Sequence, residues 1–476
     1  MHIELLVFGG GPGGYAAAFL AADLGMSVVL VDAEDRLGGT CLLKGCIPSK
    51  ALLHVARVLA EAHDLAEWGI VLEQTSTDLD ALRARKDQLI DKLARGLKQL
   101  AKRRRVTTVA ARGHFLDSQT LQLDRGQGSN DADETITFDH CIVATGSRPI
   151  MPRALRLPTP RVIDSTGALR LEDIPRRMLV VGGGYIGLEM GVIYAALGSE
   201  VTVVEMTDGL LPGVDRDLVR ILHKRLSGRF AALHLETRVA GLVDRGDRIE
   251  ALLEGNEVDG PQLFDRVLIA TGREPASAGI GLETTQVERT EDGFLRVDAR
   301  QQSTDPRIYA VGDVVGQPML AHKASHQGKV AVEAIRGDAA AAFDVEAIPA
   351  VVFTDPEIAW AGLTETAAQA AGRPVTVAQY PWQASGRAAA VGRTDGLTKW
   401  ILDPESGRVL GAGIVGAGAG ELIAEAVLAM EMGSTIRDIA ETIHPHPTLS
   451  ETWAFAGEVA LGIATEVYRP LRKSKT

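Results

Sequence analysis

A glycine turn set between an apolar strand and a small-residue helix occurs twice in this chain, and it constrains the fold more than any other feature. Residues 5–32 run from LLVF through GGGPGG into an alanine-rich helix expected over 15–24 and a second strand, SVVLVD. Residues 178–205 repeat that order as MLVV, GGGYIG, a helix expected over 188–197, and EVTVVE. In both units an acid, Asp32 or Glu205, stands 23 positions after the first motif glycine, Gly9 or Gly182.

One glycine-rich loop is weak evidence, but two between strand and helix with the acid at that distance read as dinucleotide sites. Gly9 and Gly11, like Gly182 and Gly184, let the backbone turn tightly and approach a pyrophosphate, while Gly14 and Gly187 let helix and strand pack closely. The helix N-terminus offers free N–H groups and a positive dipole end to the phosphates. Asp32 and Glu205 would accept hydrogen bonds from an adenosine ribose. A carboxylate at 205 repels a 2′-phosphate, and Met206, Thr207 and Asp208 supply no cation, so the second site reads as NAD rather than NADP. The expected class is α/β, with two Rossmann-like domains.

Two buried strands, IVATGSRP at 142–149 and LIATGREP at 268–275, end in glycine turns and are suited to carry the chain between domains. They place boundaries near 150 and 275. Cys141, inside the first of them, reads as a small buried hydrophobe. After IYAVGDVV at 308–315 a helix is expected over 322–336. From Ile348 short β-rich runs alternate with helices, as in a separate α+β domain. The expected division is 1–150, 151–275, 276–347 and 348–476.

With 476 residues the chain has ample core and needs no covalent staples, so its three cysteines are read as chemical rather than structural. A net charge of −12 argues against neutralising the phosphates of nucleic acid. The basic run Lys102–Arg105 follows a helical stretch whose Leu79, Leu82, Leu89, Leu93, Leu97 and Leu100 are spaced for one apolar face, so it reads as a solvated helix end. An apolar strand opens the sequence without a basic leader, and no long uncharged apolar run follows. No membrane association and a cytoplasmic location are therefore expected.

GGTCLLKGCIPSK places Cys41 and Cys46 before a helix expected over 49–65. Five residues of regular helix rise about 7.5 Å, beyond the usual Cα separation of a disulfide. A bridge between them needs a distorted loop or first turn, which Gly45 allows, and such a bridge is more reducible than structural. Lys44 and the helix N-terminus would favour a thiolate. Zinc sites have closer pairs and a second pair elsewhere, so no metal site is expected. Lys50 alone is an ordinary surface residue. In HPHPTLSE, a lone His-x-His is weak evidence, but beside a redox cysteine pair His446 and Glu451 make a base and the carboxylate that orients it.

GGTCLLKGCIPSKALLH, GGGYIGLEMG with EVTVVE, IYAVGDVV followed by MLAHKA, FTDPEIAWAGLTE and HPHPTLSE, in that order and spacing, resemble the pyridine nucleotide-disulfide oxidoreductases over essentially the whole chain. The similarity is greatest to the branch that oxidises dihydrolipoyl groups with NAD+. It implies that the first unit binds FAD and the second NAD, that 276–347 is a central domain completing the FAD site, and that 348–476 forms a homodimer interface. Thr145, Gly146, Gly272, Asp313 and Ala321 become further cofactor contacts. Lys50 would sit by the flavin paired with Glu189, and Tyr185 would cover the nicotinamide face.

By the same resemblance Cys41 is the interchange thiol, Cys46 the thiol beside the flavin, and His446, held by Glu451, serves the partner subunit's site. The implied partners are lipoylated domains of a 2-oxo acid dehydrogenase or glycine cleavage system. The sequence departs from the family's pattern at Lys44, Gln327 and Pro445. Glutathione-type reductases would need arginines after the strand at 201–205, mercuric reductases a C-terminal cysteine pair absent from VYRPLRKSKT, and soluble transhydrogenases lack the full cysteine pair. A flavin-bound scaffold would not need Cys41, Cys46, His446 and Glu451 together.

Overall fold

The computed structural model describes residues 1–72, 76–124 and 134–468; the end of the cysteine-free tail lies outside them. The first repeat folds as the strand His2–Phe8, the helix Pro12–Asp23 and the strand Val28–Asp32. The helix begins earlier than its alanine run suggested, because Pro12 fits the first helical turn and lacks only an N–H that would go unpaired there. His2–Phe8 lies between Val28–Asp32 and Thr135–Val143, parallel to both. Ile308–Ala310 adds to Thr135–Val143, so a segment from beyond the second repeat completes the first sheet.

The second repeat forms its own parallel sheet around Arg177–Val181, flanked by Glu200–Val204 and Arg266–Ile269, with the helix Tyr185–Ala196 following the glycine turn. Beyond its first residue each strand is buried, as expected when both faces are covered. The crossings between lobes lie side by side, since Ser147–Pro149 pairs antiparallel with Arg273–Pro275. The chain thus leaves and re-enters the first lobe at one place.

From Ala350 five antiparallel strands form a third large sheet. Its core holds Trp382, Trp400 and Trp453, all fully buried. Trp453 belongs to the helix Glu451–Leu461, and its ring lies 4.5 Å from that of Trp400. Burying aromatic groups of this size stabilises by roughly 1.5–3 kcal/mol each, so the helix that begins at Glu451 is firmly seated. Lys399, without exposure, joins this sheet to the second lobe through Asp215 and Asp217, and also meets Glu365 of its own domain, each 2.9 Å away.

The leucine face expected along 79–100 needs correction. The helix Leu79–Arg103 buries Lys86, Ile90, Ala94 and Ala101, and leaves Leu93 and Leu100 exposed. Small residues let the helix approach its neighbours closely, and the larger leucines fall to the flanks. The basic run at its end is not wholly solvated either: Arg104 pairs with Asp23 at 2.9 Å and lies over the Phe19 ring.

Candidate active site

The two glycine turns repeat almost angle for angle. Gly9 and Gly182 have φ of +117° and +114°, which disfavours any side chain. Added methyl groups would strike Ala144 O at 2.2 Å and Ala270 O at 2.4 Å. Gly14 and Gly187 are closed as well, facing Gly9 O at 1.8 Å and Gly182 O at 2.1 Å. Gly11 and Gly184 differ. They precede their helices in extended conformation, and a methyl on Gly11 meets only Gly39 Cα at 3.9 Å, while one on Gly184 meets nothing within 4 Å. The first and third glycines therefore serve internal packing, and the middle one keeps its backbone open to a ligand.

Both acids are fixed by the turns they serve. Asp32 accepts from the N–H groups of Gly10 and Glu34. Glu205 accepts from Gly183 N at 2.7 Å and from Thr207 N at 2.8 Å. Burial raises the Asp32 carboxyl above its ordinary value, against the two backbone donors.

A cavity of about 550 Å³ opens from the first turn toward the second lobe. Its lining includes Gly9, Gly11, Asp32, Cys41, Cys46 and Lys50 from the first lobe. Thr145, Gly146, Tyr185, Glu189, Asp313 and Ala321 also face it. Gly14, Gly182, Gly184, Gly187, Glu205 and Gly272 lie outside this lining. Thr145 Oγ1 is buried against the cavity without a partner. Buried hydroxyls are rarely left so, and with Gly11 open this wall fits a dinucleotide such as the expected FAD. Asp313 is held by Ser147 Oγ, which in turn accepts from Arg273 Nε at 2.8 Å. Gln327 accepts from Gly312 N at 2.9 Å and so fixes the turn that presents Asp313. Ser147 and Arg273 directly follow Gly146 and Gly272 in the two glycine turns, but were missed because the sequence does not show that these turns meet and that Arg273 reaches Ser147.

Cys41 lies in the short helix Gly39–Lys44 and Cys46 begins the next, Cys46–Asp64, with Gly45 at the break. Gly45 has φ −145° and ψ −107°, a distorted junction that breaks the regular rise. Both are thiols in this structure. The Cys41 thiol donates to the Cys46 sulfur, which brings Cys46 down to about 7 against burial, and Lys50 assists. The same bond and burial push Cys41 up. The negative charge of the pair therefore resides on Cys46.

Lys44 was expected to favour the thiolate, but it is paired with Glu34 and its charge is neutralised there. Lys50 serves instead. Its Nζ contacts both oxygens of Glu189, at 3.0 and 2.9 Å, and stands 4.4 Å from the centre of the Phe353 ring. Phe353 N also donates to Glu189. Tyr185 is partly exposed at the cavity, with its hydroxyl pushed up to about 12 by burial.

His446 lies outside the lining of this cavity. Its Nδ1 pairs with Glu451 Oε1 at 2.8 Å, and its side chain is 79% exposed. Glu451 is buried and also accepts from Thr448 N at 2.7 Å. With Nδ1–H donating to a carboxylate, Nε2 is left free to take a proton. Among the described residues no group of three or more His, Cys, Asp or Glu could hold a metal, and no helix is long and apolar enough to cross a membrane.

The family described as pyridine nucleotide-disulphide oxidoreductase matches residues 3–328, and its dimerisation domain matches 348–456. The dihydrolipoyl dehydrogenase of Vibrio cholerae is 45% identical, covering 99% of this chain and 98% of its own. That of Haloferax volcanii is 44% identical, over 97% of each. Among solved structures, LpdA of Mycobacterium tuberculosis aligns with a TM-score of 0.87 at 26% identity, covering 96% of this chain and 99% of its own. The HOCl-induced flavoprotein disulfide reductase RclA of Escherichia coli, in a Cu(II) complex, reaches 0.85 at 26% identity, over 97% and 100%.

Proposed function

Because the chain belongs to the pyridine nucleotide-disulphide oxidoreductases, we propose that it reoxidises protein-bound dihydrolipoyl groups, with Cys41, Cys46, His446 and Glu451 as the working residues. The enzyme is an NAD-dependent flavoprotein. The observation that carries the site assignment is the single cavity in which Cys41, Cys46 and Lys50 meet a wall fit for a dinucleotide.

Gly9, Gly11, Gly14, Asp32, Thr145, Gly146, Asp313 and Ala321 are assigned to FAD. Gly182, Gly184, Gly187, Glu205 and Gly272 are assigned to NAD, with Tyr185, Lys50 and Glu189 between the two. When bound, FAD would supply the two-electron acceptor for the dithiol and the hydride donor for NAD+. His446 accepts the proton of the incoming thiol, and the resulting thiolate attacks Cys41, releasing Cys46 as the thiolate that Lys50 favours. The second lipoyl thiol then closes its own disulfide and frees Cys41. In this reading the domains divide at 150, 275 and 347, as the sequence suggested.

The protein is a homodimer built through the domain at 348–456. Leu428, Met432 and Ile443 stand exposed on that domain, as side chains awaiting a partner do. His446 is exposed on the same domain and away from its own chain's cavity, which supports its serving the partner's cysteines. Lipoylated domains of a 2-oxo acid dehydrogenase or glycine cleavage system are the proposed substrates, and the cytoplasm, where such thiols stay reduced, the proposed location. Purified protein loaded with FAD should form NADH from reduced lipoamide and NAD+, and Cys41→Ser should stop it. A flavin-loaded protein without such turnover would refute the reading.

A further inference from the structure

His446 rides on a segment with little of its own to hold it. Among the described residues no backbone–backbone hydrogen bond involves residues 443–447, so side chains must fix this turn. One clamp is Glu451, through His446 itself and through Thr448, whose Oγ1 also donates to Pro445 O at 2.7 Å. The other involves His444. Its Nδ1 donates to Thr442 O at 2.8 Å, and its Nε2 stands 2.7 Å from Glu425 Oε1.

The two histidines are treated oppositely. The side chain of His444 is 7% exposed and uses both ring nitrogens, whereas that of His446 is 79% exposed and uses one. A ring with neither nitrogen free is an anchor and not a proton acceptor. Glu425 comes from the helix Ala419–Glu431 and Glu451 from Glu451–Leu461. Trp453 Nε1 joins these helices by donating to Leu422 O at 3.1 Å. Both carboxylates therefore stand on one packed pair of helices.

We propose that His444 and Glu425 are positioning residues for the proton-accepting imidazole of His446, fixing the turn that presents it. This rests on the role given to His446 above. Displacement of a reacting group by 1 Å can slow a reaction about a hundredfold, and in a turn without backbone–backbone bonds each side-chain clamp counts toward resisting it.

The test compares two routes of flavin reduction in FAD-loaded protein by rapid mixing, one with reduced lipoamide and one with NADH. Glu425→Ala should slow the dithiol route about tenfold to a hundredfold and leave the NADH route within about twofold. Glu425→Gln, whose side-chain amide can still hydrogen-bond His444 Nε2, should recover most of the rate. Should the Ala variant fail to fold, His444→Phe keeps ring volume, removes both bonds and should show the same split. His446→Ala is the reference. A slow reference beside an unchanged Glu425→Ala would overturn this proposal alone. So would loss of both routes together in folded dimers, or a Gln variant as slow as Ala. A reference as fast as the wild type would overturn the role of His446, and this proposal with it.

Discussion

Replacing the middle glycine of each turn by alanine separates ligand approach from folding, because the structure closes the outer glycines and leaves the middle ones open. In Gly11→Ala the new methyl has no protein neighbour closer than 3.9 Å, and φ is −75°, an ordinary value. Reduced freedom of the unfolded chain contributes about 0.4–1 kcal/mol of stability, and exchanging Gly for Ala at a helix N-cap costs about the same. The flavin-free protein should therefore melt as the wild type does. In the cavity the methyl stands where the cofactor must approach, and intrusion of that size costs about 1–3 kcal/mol, or about 5- to 150-fold in affinity.

Gly14→Ala is the contrast. Its methyl would lie 1.8 Å from Gly9 O, a backbone atom that no side-chain rotation can move. About 3 kcal/mol or more of flavin-free stability should be lost. Gly184→Ala should behave as Gly11→Ala does, but toward NAD+, raising its KM while flavin content stays normal. The assays are flavin-free melting, FAD titration by flavin fluorescence, and KM for NAD+. The reasoning fails if Gly11→Ala binds FAD as tightly as the wild type, or if its melting falls as far as that of Gly14→Ala.

Two further outcomes follow from named charges. In reduced, flavin-free protein the Cys46 thiolate should persist down to about pH 7 and be lost below it. Alkylation of Cys46, followed by peptide mass, should titrate there, and Lys50→Met should move the midpoint up. A wild-type midpoint at the ordinary thiol value of about 8.5 would contradict the assignment. Turnover should strongly favour NAD+ over NADP+, with Glu205→Arg narrowing the gap by removing repulsion toward the 2′-phosphate; equal use of both by the wild type would show the strand at 201–205 was misread.

The repeat was legible because its glycines are required by backbone geometry, which one sequence displays directly. The distortion at Gly45 was legible for a similar reason: the spacing of Cys41 and Cys46 does not suit a regular helix. Contacts between distant segments were not. Phe353 closes over Lys50 and Glu189 from 164 positions beyond the latter, and no local pattern marks it. Glu425 lies on a helix whose sequence gives no sign that one carboxylate faces a histidine. Lys44 misled because proximity in sequence to Cys41 says nothing of Glu34, reached only through the fold. The leucines at 93 and 100 misled because periodicity finds an apolar stripe but not which edge of it packs.

The central claim is that one chain's cysteine pair works with the other chain's His446. Subunits carrying Cys41→Ser and subunits carrying His446→Ala, mixed equally under conditions that let dimers exchange, test it directly. In a mixed dimer the Cys41→Ser chain supplies an intact His446 to its partner's intact cysteines, which rebuilds one of two sites. Half of randomly paired dimers are mixed, so about a quarter of wild-type dihydrolipoamide:NAD+ activity should return. Activity that stays at the level of the single variants, with exchange demonstrated by mass, would contradict the claim and return His446 to its own chain.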